Sequence, residues 1–319
     1  MEHEHEVRHL SEFDRRKFLQ IGGLVTGLAF VNSIVSVESA TALPAAKLPG
    51  FTAFAKSVKV FKADKYYLVE SNGIPAHQMM VGIKSWQQQV PTVQNYSGSN
   101  AWSIPIKPVI ASNPISAKDH FLRGAIAIAV NGVPIFNALN NRGDDALLAG
   151  ELDDWGGHCG RADDYHYHIA PTHLQTVVGK KVPIAYALDG FPIYGETEVD
   201  GKKVTGLDSL NGHFDSKKNY HYHATKNYPY INGGFKGVVT EIEGQVDPQA
   251  LTKAFRPAGA PLKGAVITGL DRVGENAFDL KYTVNAVDYH VKYTATLAEV
   301  NMQFIDPQGA IRTEVYQRK

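Results

Sequence analysis

Short apolar runs separated by turn residues fill most of the chain after residue 57. The run at 124–130 (GAIAIAV) ends at Asn131-Gly132, a pair typical of tight turns. Runs of this length predict buried strands, and helical periodicity is weak. Short helices are predicted only over 144–152 and, after the Asp247-Pro248 pair, over 249–255. The pattern therefore predicts a mainly β protein, of the β-rich α+β class.

The last part of the chain shows strict alternation of apolar and polar residues. Phe278, Leu280 and Tyr282 alternate with charged or polar neighbours, and Tyr289 and Val291 repeat the pattern. Alternation with a period of two predicts strands with one buried face. We expect a small antiparallel β domain over 246–319, with His290 on its exposed face.

The first 42 residues resemble an export signal. The run Asp14-Arg15-Arg16-Lys17-Phe18-Leu19-Gln20 resembles a twin-arginine motif, and an apolar stretch and the small residues Ala40-Thr41-Ala42 follow it. We predict a twin-arginine signal peptide over 1–42, the twin-arginine export machinery as a partner, and a periplasmic or secreted mature protein. An uncleaved membrane anchor is the alternative, but the stretch is too polar to span a bilayer well. Residues 43–60 are predicted to be a linker.

An internal repeat carries six of the 13 histidines. The pattern Leu-Asp-x-x-x-Gly-His-x₆-Tyr-His-Tyr-His begins at Leu152 and again at Leu207, an offset of 55 residues. Upstream, a Gly-x-Pro-Ile turn at Gly132 recurs at Gly190, with an offset of 58. The repeat predicts a duplicated β core over 61–245, whose two copies pack with approximate twofold symmetry.

The Tyr-His-Tyr-His segments place pairs of histidines on one face of a strand. In a strand, His166 and His168 share a face, and Tyr165 and Tyr167 share the other. A third histidine from the preceding turn completes a set suited to a transition metal such as copper, zinc or iron. The predicted ligands are His158, His166, His168, His213, His221 and His223. They describe two separate sites or one joint site.

Three further residues are candidates for these sites. Asp153 and Asp208 recur at the same position of the repeat, either as ligands or as acceptors that orient an imidazole N–H. His77 lies in a turn and is a candidate additional member. Cys159 follows His158, but Phe214 replaces it in the second copy, so a buried structural thiol is favoured.

Other functions remain open for these residues. A metalloenzyme with redox or hydrolytic chemistry and a periplasmic metal carrier both use the predicted sites. A lyase or hydrolase acting on an extracellular polymer could instead use histidine and tyrosine for proton transfer without a metal. Buried tyrosines and histidines could also form a purely structural hydrogen-bonded network.

Charge and cysteine content exclude several classes of protein. The chain has 32 basic and 32 acidic residues, which argues against nucleic acid as a partner. One cysteine excludes an intrachain disulfide framework and a four-cysteine zinc site. Outside 1–42 no segment is long and apolar enough to predict stable membrane insertion. Charge and composition do not distinguish a small-molecule substrate from a polymer.

The doubled motif resembles the YHYH-domain family, which takes its name from this tetrapeptide. The resemblance covers roughly residues 66–239. It includes the motifs Ser71-Asn72-Gly73-Ile74-Pro75-Ala76-His77, Gly157-His158-Cys159, Ala187-Leu188-Asp189-Gly190-Phe191-Pro192-Ile193-Tyr194-Gly195 and Tyr228-Pro229-Tyr230. The family is functionally uncharacterised, so the resemblance implies no activity and no catalytic residues.

Overall fold

Strands make up nearly all the regular secondary structure of residues 43–318, which the structure, a computed structural model, describes. In chain order the first ten are β1 Lys59–Ala63, β2 Tyr66–Glu70, β3 Trp102–Pro105, β4 Ile110–Ser116, β5 Ala125–Ala129, β6 Pro134–Phe136, β7 Gly157–Cys159, β8 Tyr165–Tyr167, β9 Ala185–Ala187 and β10 Pro192–Tyr194. The next ten are β11 Gly212–Phe214, β12 Tyr220–His223, β13 Gly234–Gly237, β14 Thr240–Ile242, β15 Gln245–Asp247, β16 Ala265–Arg272, β17 Ala277–Val284, β18 Val287–Ala295, β19 Glu299–Ile305 and β20 Ile311–Gln317. The helix α1 spans Gln175–Val178, and short 3₁₀ helices lie at Phe51–Phe54, Gly98–Asn100 and Thr172–Leu174. The predicted β-rich fold is confirmed.

The central sheet has eight strands in the order β11-β12-β10-β9-β5-β6-β8-β7. The first copy of the repeat therefore supplies one half of the sheet and the second copy the other half. Corresponding strands lie equally far from the two edges, so β8 and β12, which carry the Tyr-His-Tyr sequences, are each second from an edge. At the centre β5 and β9 pair antiparallel. A twofold arrangement would give this order, and the pseudo-twofold symmetry itself stays a prediction.

The centre of this sheet is fully buried because both its faces are covered. Every residue of β5 is inaccessible to solvent, as its unbroken apolar sequence predicts. The chain then turns at Asn131-Gly132, where Gly132 has a φ of 82°. A Cβ on Gly132 would lie 2.5 Å from the Ser71 Cβ, so the turn requires glycine for conformation and for space. After this turn, β6 pairs with β5 on one side and with β8, the strand that carries His166, on the other.

The C-terminal strands β16 to β20 form a five-stranded antiparallel sheet in sequence order, as predicted. Phe278, Leu280 and Tyr282 of β17 are buried on its inner face. The Tyr293 hydroxyl donates to the Pro91 carbonyl at 2.9 Å, which ties the sheet to the preceding part of the chain. Within residues 43–318 there are also three smaller sheets, formed by β1-β2-β3, β13-β4 and β14-β15.

The helix predicted over 144–152 does not form. The Asn140 side-chain oxygen accepts the backbone N–H groups of Arg142 and Asp144 at 2.9 and 3.1 Å. These bonds hold the segment in turns, because a side chain that satisfies backbone donors competes with the helical ladder.

The helix predicted over 249–255 is also wrong. The Asn100 side chain accepts the Leu251 N–H at 2.9 Å and donates to the Leu251 carbonyl at 3.0 Å. Both backbone groups of Leu251 are therefore satisfied by a distant side chain, and the segment runs in an irregular conformation.

Residues 43–318 belong to one compact unit. The segment predicted as a linker places Leu48, Phe51 and Val58 in the core. The boundaries at 60 and 245 stay predictions. Within the described residues, no helix has the length and apolar character that a membrane span requires. The predicted signal peptide at 1–42 lies outside the described residues.

Candidate metal sites

Three histidines of the first copy meet at one edge of the central sheet. We call His158, His166 and His168 the first cluster. His158 on β7 lies directly opposite His166 on β8, and His168 follows β8. Their ring centroids are 4.8 to 5.0 Å apart. The imidazoles therefore share one face of the strand pair, as the alternation predicted.

Each ring of the first cluster is held from behind by a backbone carbonyl. The Nδ1 atoms of His166 and His168 bond to the Asp164 and Asn137 carbonyls at 2.9 and 2.5 Å. The His158 ring bonds to the backbone of Glu151. A carbonyl accepts only, so Nδ1 carries the proton and Nε2 is left with a free lone pair.

The free Nε2 atoms point at one another. Those of His158 and His168 lie 3.0 Å apart. Two lone pairs at this distance repel unless one nitrogen is protonated or a cation lies between them. Two ligands of a tetrahedral zinc ion lie about 3.3 Å apart for bonds of about 2.0–2.1 Å. The spacing suits a shared metal ion.

Burial favours the neutral, metal-binding form of these imidazoles. It lowers the pKa of His168 to about 3, with the neighbouring His166 as a smaller cause. Burial, and then the charges that His168 and His166 would carry, also lower the pKa of His158 well below 6.5. Both rings are therefore neutral at pH 7, which is the state that a metal requires.

The second copy repeats the arrangement at the opposite edge of the sheet. His213 on β11 faces His221 on β12, and their Nε2 atoms lie 3.1 Å apart. His223, at the end of β12, bonds through Nδ1 to the Gly195 carbonyl at 2.8 Å. Its Nε2 is buried and has no hydrogen-bond partner among residues 43–318. That orphaned lone pair aims into the cluster, where a cation would satisfy it.

The remaining rings of the second copy are held in the same way. The Nδ1 of His213 bonds to the Thr205 carbonyl at 3.0 Å, and His221 bonds to the backbone of Asn219. Burial lowers the pKa of His221 and of His223. The carbonyl behind each ring is thus a feature of both copies.

A carboxylate that sequence reasoning missed joins the second copy. Glu198 lies 3.3 Å from the His213 Nε2, 3.6 Å from that of His223 and 3.9 Å from that of His221. We call these four residues the second cluster. All the candidate ligand atoms in each cluster lie within 4.8 Å of one another. With the 58-residue offset that relates Gly132 to Gly190, Glu198 corresponds to Asn140 in the first copy. The sequence therefore contains a signal that the two copies differ at this position.

Asn140 takes a different role in the first copy. Its amide bonds to the Glu151 carboxylate at 3.3 and 3.4 Å, and Arg142 forms an ion pair with the same carboxylate. Among the described residues, no carboxylate joins the first cluster. The first cluster instead lines a cavity of about 600 Å³.

The two clusters are separate. β8 and β12 are five strand positions apart, which corresponds to about 24 Å along the sheet. Of the two arrangements that the sequence left open, the geometry matches two sites.

Asp153 and Asp208 bind tyrosines, not histidines, which corrects the expectation that they are ligands or orient an imidazole. The Asp153 carboxylate accepts the Tyr165 hydroxyl at 2.8 Å, and Asp208 accepts the Tyr220 hydroxyl at 2.9 Å. Tyrosine and histidine side chains alternate along the strand. A carboxylate on the tyrosine face therefore cannot reach the imidazoles.

His77 also lies on the tyrosine face and joins neither cluster. Its Nε2 accepts the Tyr167 hydroxyl at 2.6 Å, and its ring stacks on Trp155 with centroids 4.8 Å apart. Cys159 is a free, buried thiol, as predicted. Burial raises its pKa, so it remains protonated.

The YHYH protein family matches residues 101–205 of the chain. The matched segment contains the whole first cluster together with Glu198, and it ends before the three histidines of the second copy. No curated protein and no solved structure matches the chain. Over residues 101–205, the match supports the resemblance to the YHYH protein family.

Proposed function

We propose that this protein binds two transition-metal ions, one in each cluster. The convergence of Nε2 atoms, each on a ring whose Nδ1 side faces a backbone carbonyl, carries the proposal. A metal-free network gains nothing from pointing lone pairs at one another at 3.0 and 3.1 Å. Copper, zinc and iron all accept imidazole ligands.

The proposed location is the periplasm or the cell exterior, after export of the folded chain by the twin-arginine machinery. The resemblance of residues 14–20 to the export motif supports this location. A chain that folds before export can bind its metal before export. A metal that serves redox or hydrolytic chemistry needs a coordination position open to a substrate, whereas a metal carried as cargo does not.

The metal content of the full chain, purified without an affinity tag, tests the proposal. We expect two metal equivalents per chain by elemental analysis, and one equivalent each in His166→Gln and His221→Gln. His290→Gln is the matched control, since His290 lies in the C-terminal sheet and should change nothing. His3, His5 and His9 are present in every variant, so any metal that they hold is common to all samples and cancels in the differences between them.

The contrary result is equally clear. A folded chain without stoichiometric metal, whose thermal unfolding is unaffected by a chelator, would leave the histidines as a polar network or as metal-free acid–base groups. Circular dichroism of each variant establishes that a lost metal reflects a lost ligand and not a lost fold.

A further inference from the structure

We infer that the two metal sites have different tasks: the first cluster is an open site that binds an anionic substrate, and the second is a closed, structural site. The inference rests on the proposed metal binding. It follows from the ligand count, the surroundings and the charge of each cluster.

The ligand count differs because one position of the repeat has diverged. In the second cluster, Glu198 adds a carboxylate to three imidazoles, which completes a four-ligand shell. In the first cluster the matching residue is Asn140, which turns to Glu151. Sites with four protein ligands are typically structural, and sites with three keep a position for water or substrate.

The first cluster faces a cavity through which a ligand can reach the open coordination position. His158, His166 and His168 line the cavity of about 600 Å³, whereas the histidines of the second cluster are not among its lining residues. A volume of this size accommodates a small molecule. A ligand in the cavity could therefore reach the metal directly.

The charges of the cavity favour an anion. Four arginines and three carboxylates line it: Arg142 pairs with Glu151, Arg256 pairs with Asp163, and Asp164 offsets one further charge, which leaves a formal surplus of one positive charge. Arg123 and Arg161 have no carboxylate within 4.0 Å among the residues that the structure describes. With a divalent metal at the cluster, the cavity attracts a small molecule that carries an anionic oxygen, such as a carboxylate.

A cobalt-loaded full chain tests this difference, because the visible spectrum of Co²⁺ reports its coordination. Azide is the probe for an open position, and acetate is the competing carboxylate. In the wild-type protein, we expect azide to change the spectrum of one of two bound cobalt ions. His221→Gln, which keeps the first cluster, should retain the whole azide response. His166→Gln, which keeps the second, should lose it.

Two further measurements make the test specific. Adding Glu198→Ala to the His166→Gln variant should open the second cluster and restore an azide response there. Acetate should displace azide from the first cluster in His221→Gln. An azide response that persists in His166→Gln, disappears in His221→Gln or is not restored by Glu198→Ala overturns the inference. Azide that acetate cannot displace overturns the carboxylate class.

Failure of the underlying proposal gives a separate result. If cobalt does not bind, the proposed function fails along with this inference. If two cobalt ions bind and respond to azide alike, metal binding holds and only the division between an open and a closed site is refuted.

Discussion

Replacing Asp189 with asparagine should destabilise the protein by an amount that grows as the pH falls. The Asp189 carboxylate is buried and accepts the Tyr222 hydroxyl at 2.6 Å, the Gly237 N–H at 2.9 Å and the Phe191 N–H at 3.1 Å. In this way it anchors the tyrosine that lies between the two histidines of β12. The other copy has Asn131 at this position, so the turn itself accepts an amide.

The cost of Asp189→Asn follows from its hydrogen bonds. The Phe191 bond can survive through the amide oxygen, whereas the amide NH₂ must face the Gly237 N–H, which is also a donor. The Tyr222 hydroxyl can accept from this NH₂ instead of donating, as Tyr167 does from Asn131. The Gly237 N–H is then the donor left unsatisfied, which costs about 1–3 kcal/mol of unfolding free energy at pH 7.

The pH dependence comes from the raised pKa of Asp189. Burial raises it from 3.8 to about 6, although the hydrogen bonds of Tyr222, Gly237 and Phe191 oppose the shift. The folded state therefore holds this proton more tightly than the unfolded state does. The resulting stabilisation is complete below pH 3.8 and is lost as the pH rises through about 6. Between pH 7 and pH 5 the wild-type protein should gain about 1 kcal/mol relative to Asp189→Asn.

Urea unfolding at pH 7, 6 and 5, with a chelator present, measures this difference. Every other ionisable group is the same in the two proteins, so the contributions of those groups cancel in the comparison. A difference that stays constant, or that shrinks toward pH 5, would refute the assigned pKa and its cause.

Three other outcomes are expected in urea unfolding. Metal at one hundred times its Kd should raise the unfolding free energy by about 2.7 kcal/mol per site, and an unchanged midpoint would contradict metal binding. Tyr165→Phe removes a donor from the buried Asp153 carboxylate and should lower the unfolding free energy by about 1–3 kcal/mol. Tyr220→Phe should cost less, because its partner carboxylate, Asp208, is more exposed. Equal costs for the two substitutions would contradict this reasoning. Arg256→Met leaves the carboxylate of Asp163 buried without its partner, so a loss of about 3–5 kcal/mol is expected, and a loss under about 1 kcal/mol would show that the pair is unimportant.

The histidine clusters could be found from the sequence because two regularities act together. A strand alternates its faces, which puts His166 and His168 side by side, and the repeat shows the same set again at His221 and His223. Neither regularity requires knowledge of distant contacts. The C-terminal sheet was predictable for the same reason, since Phe278, Leu280 and Tyr282 alternate with polar residues.

The features that the sequence did not predict depend on loops. In a loop, no periodicity relates the position of a residue in the sequence to the direction of its side chain. Glu198 lies between strands, and only the folded loop brings its carboxylate to the imidazoles. Asp153 and Asp208 occupy equivalent positions in the repeat, but recurrence alone does not say which face of the strand they approach. His77 comes from a distant turn, and its placement against Trp155 is a long-range contact that local patterns do not encode.

The two clusters lie at opposite edges of one sheet, so a mutation in one cluster should not alter the other. Sites that share no partners and lie about 24 Å apart should have additive mutational effects. A substitution that abolishes one site need not impair the other, and metal uptake should follow the sum of two independent isotherms. Because the sequence repeat places both clusters in a single chain, one cluster can change its ligands while the other keeps its own.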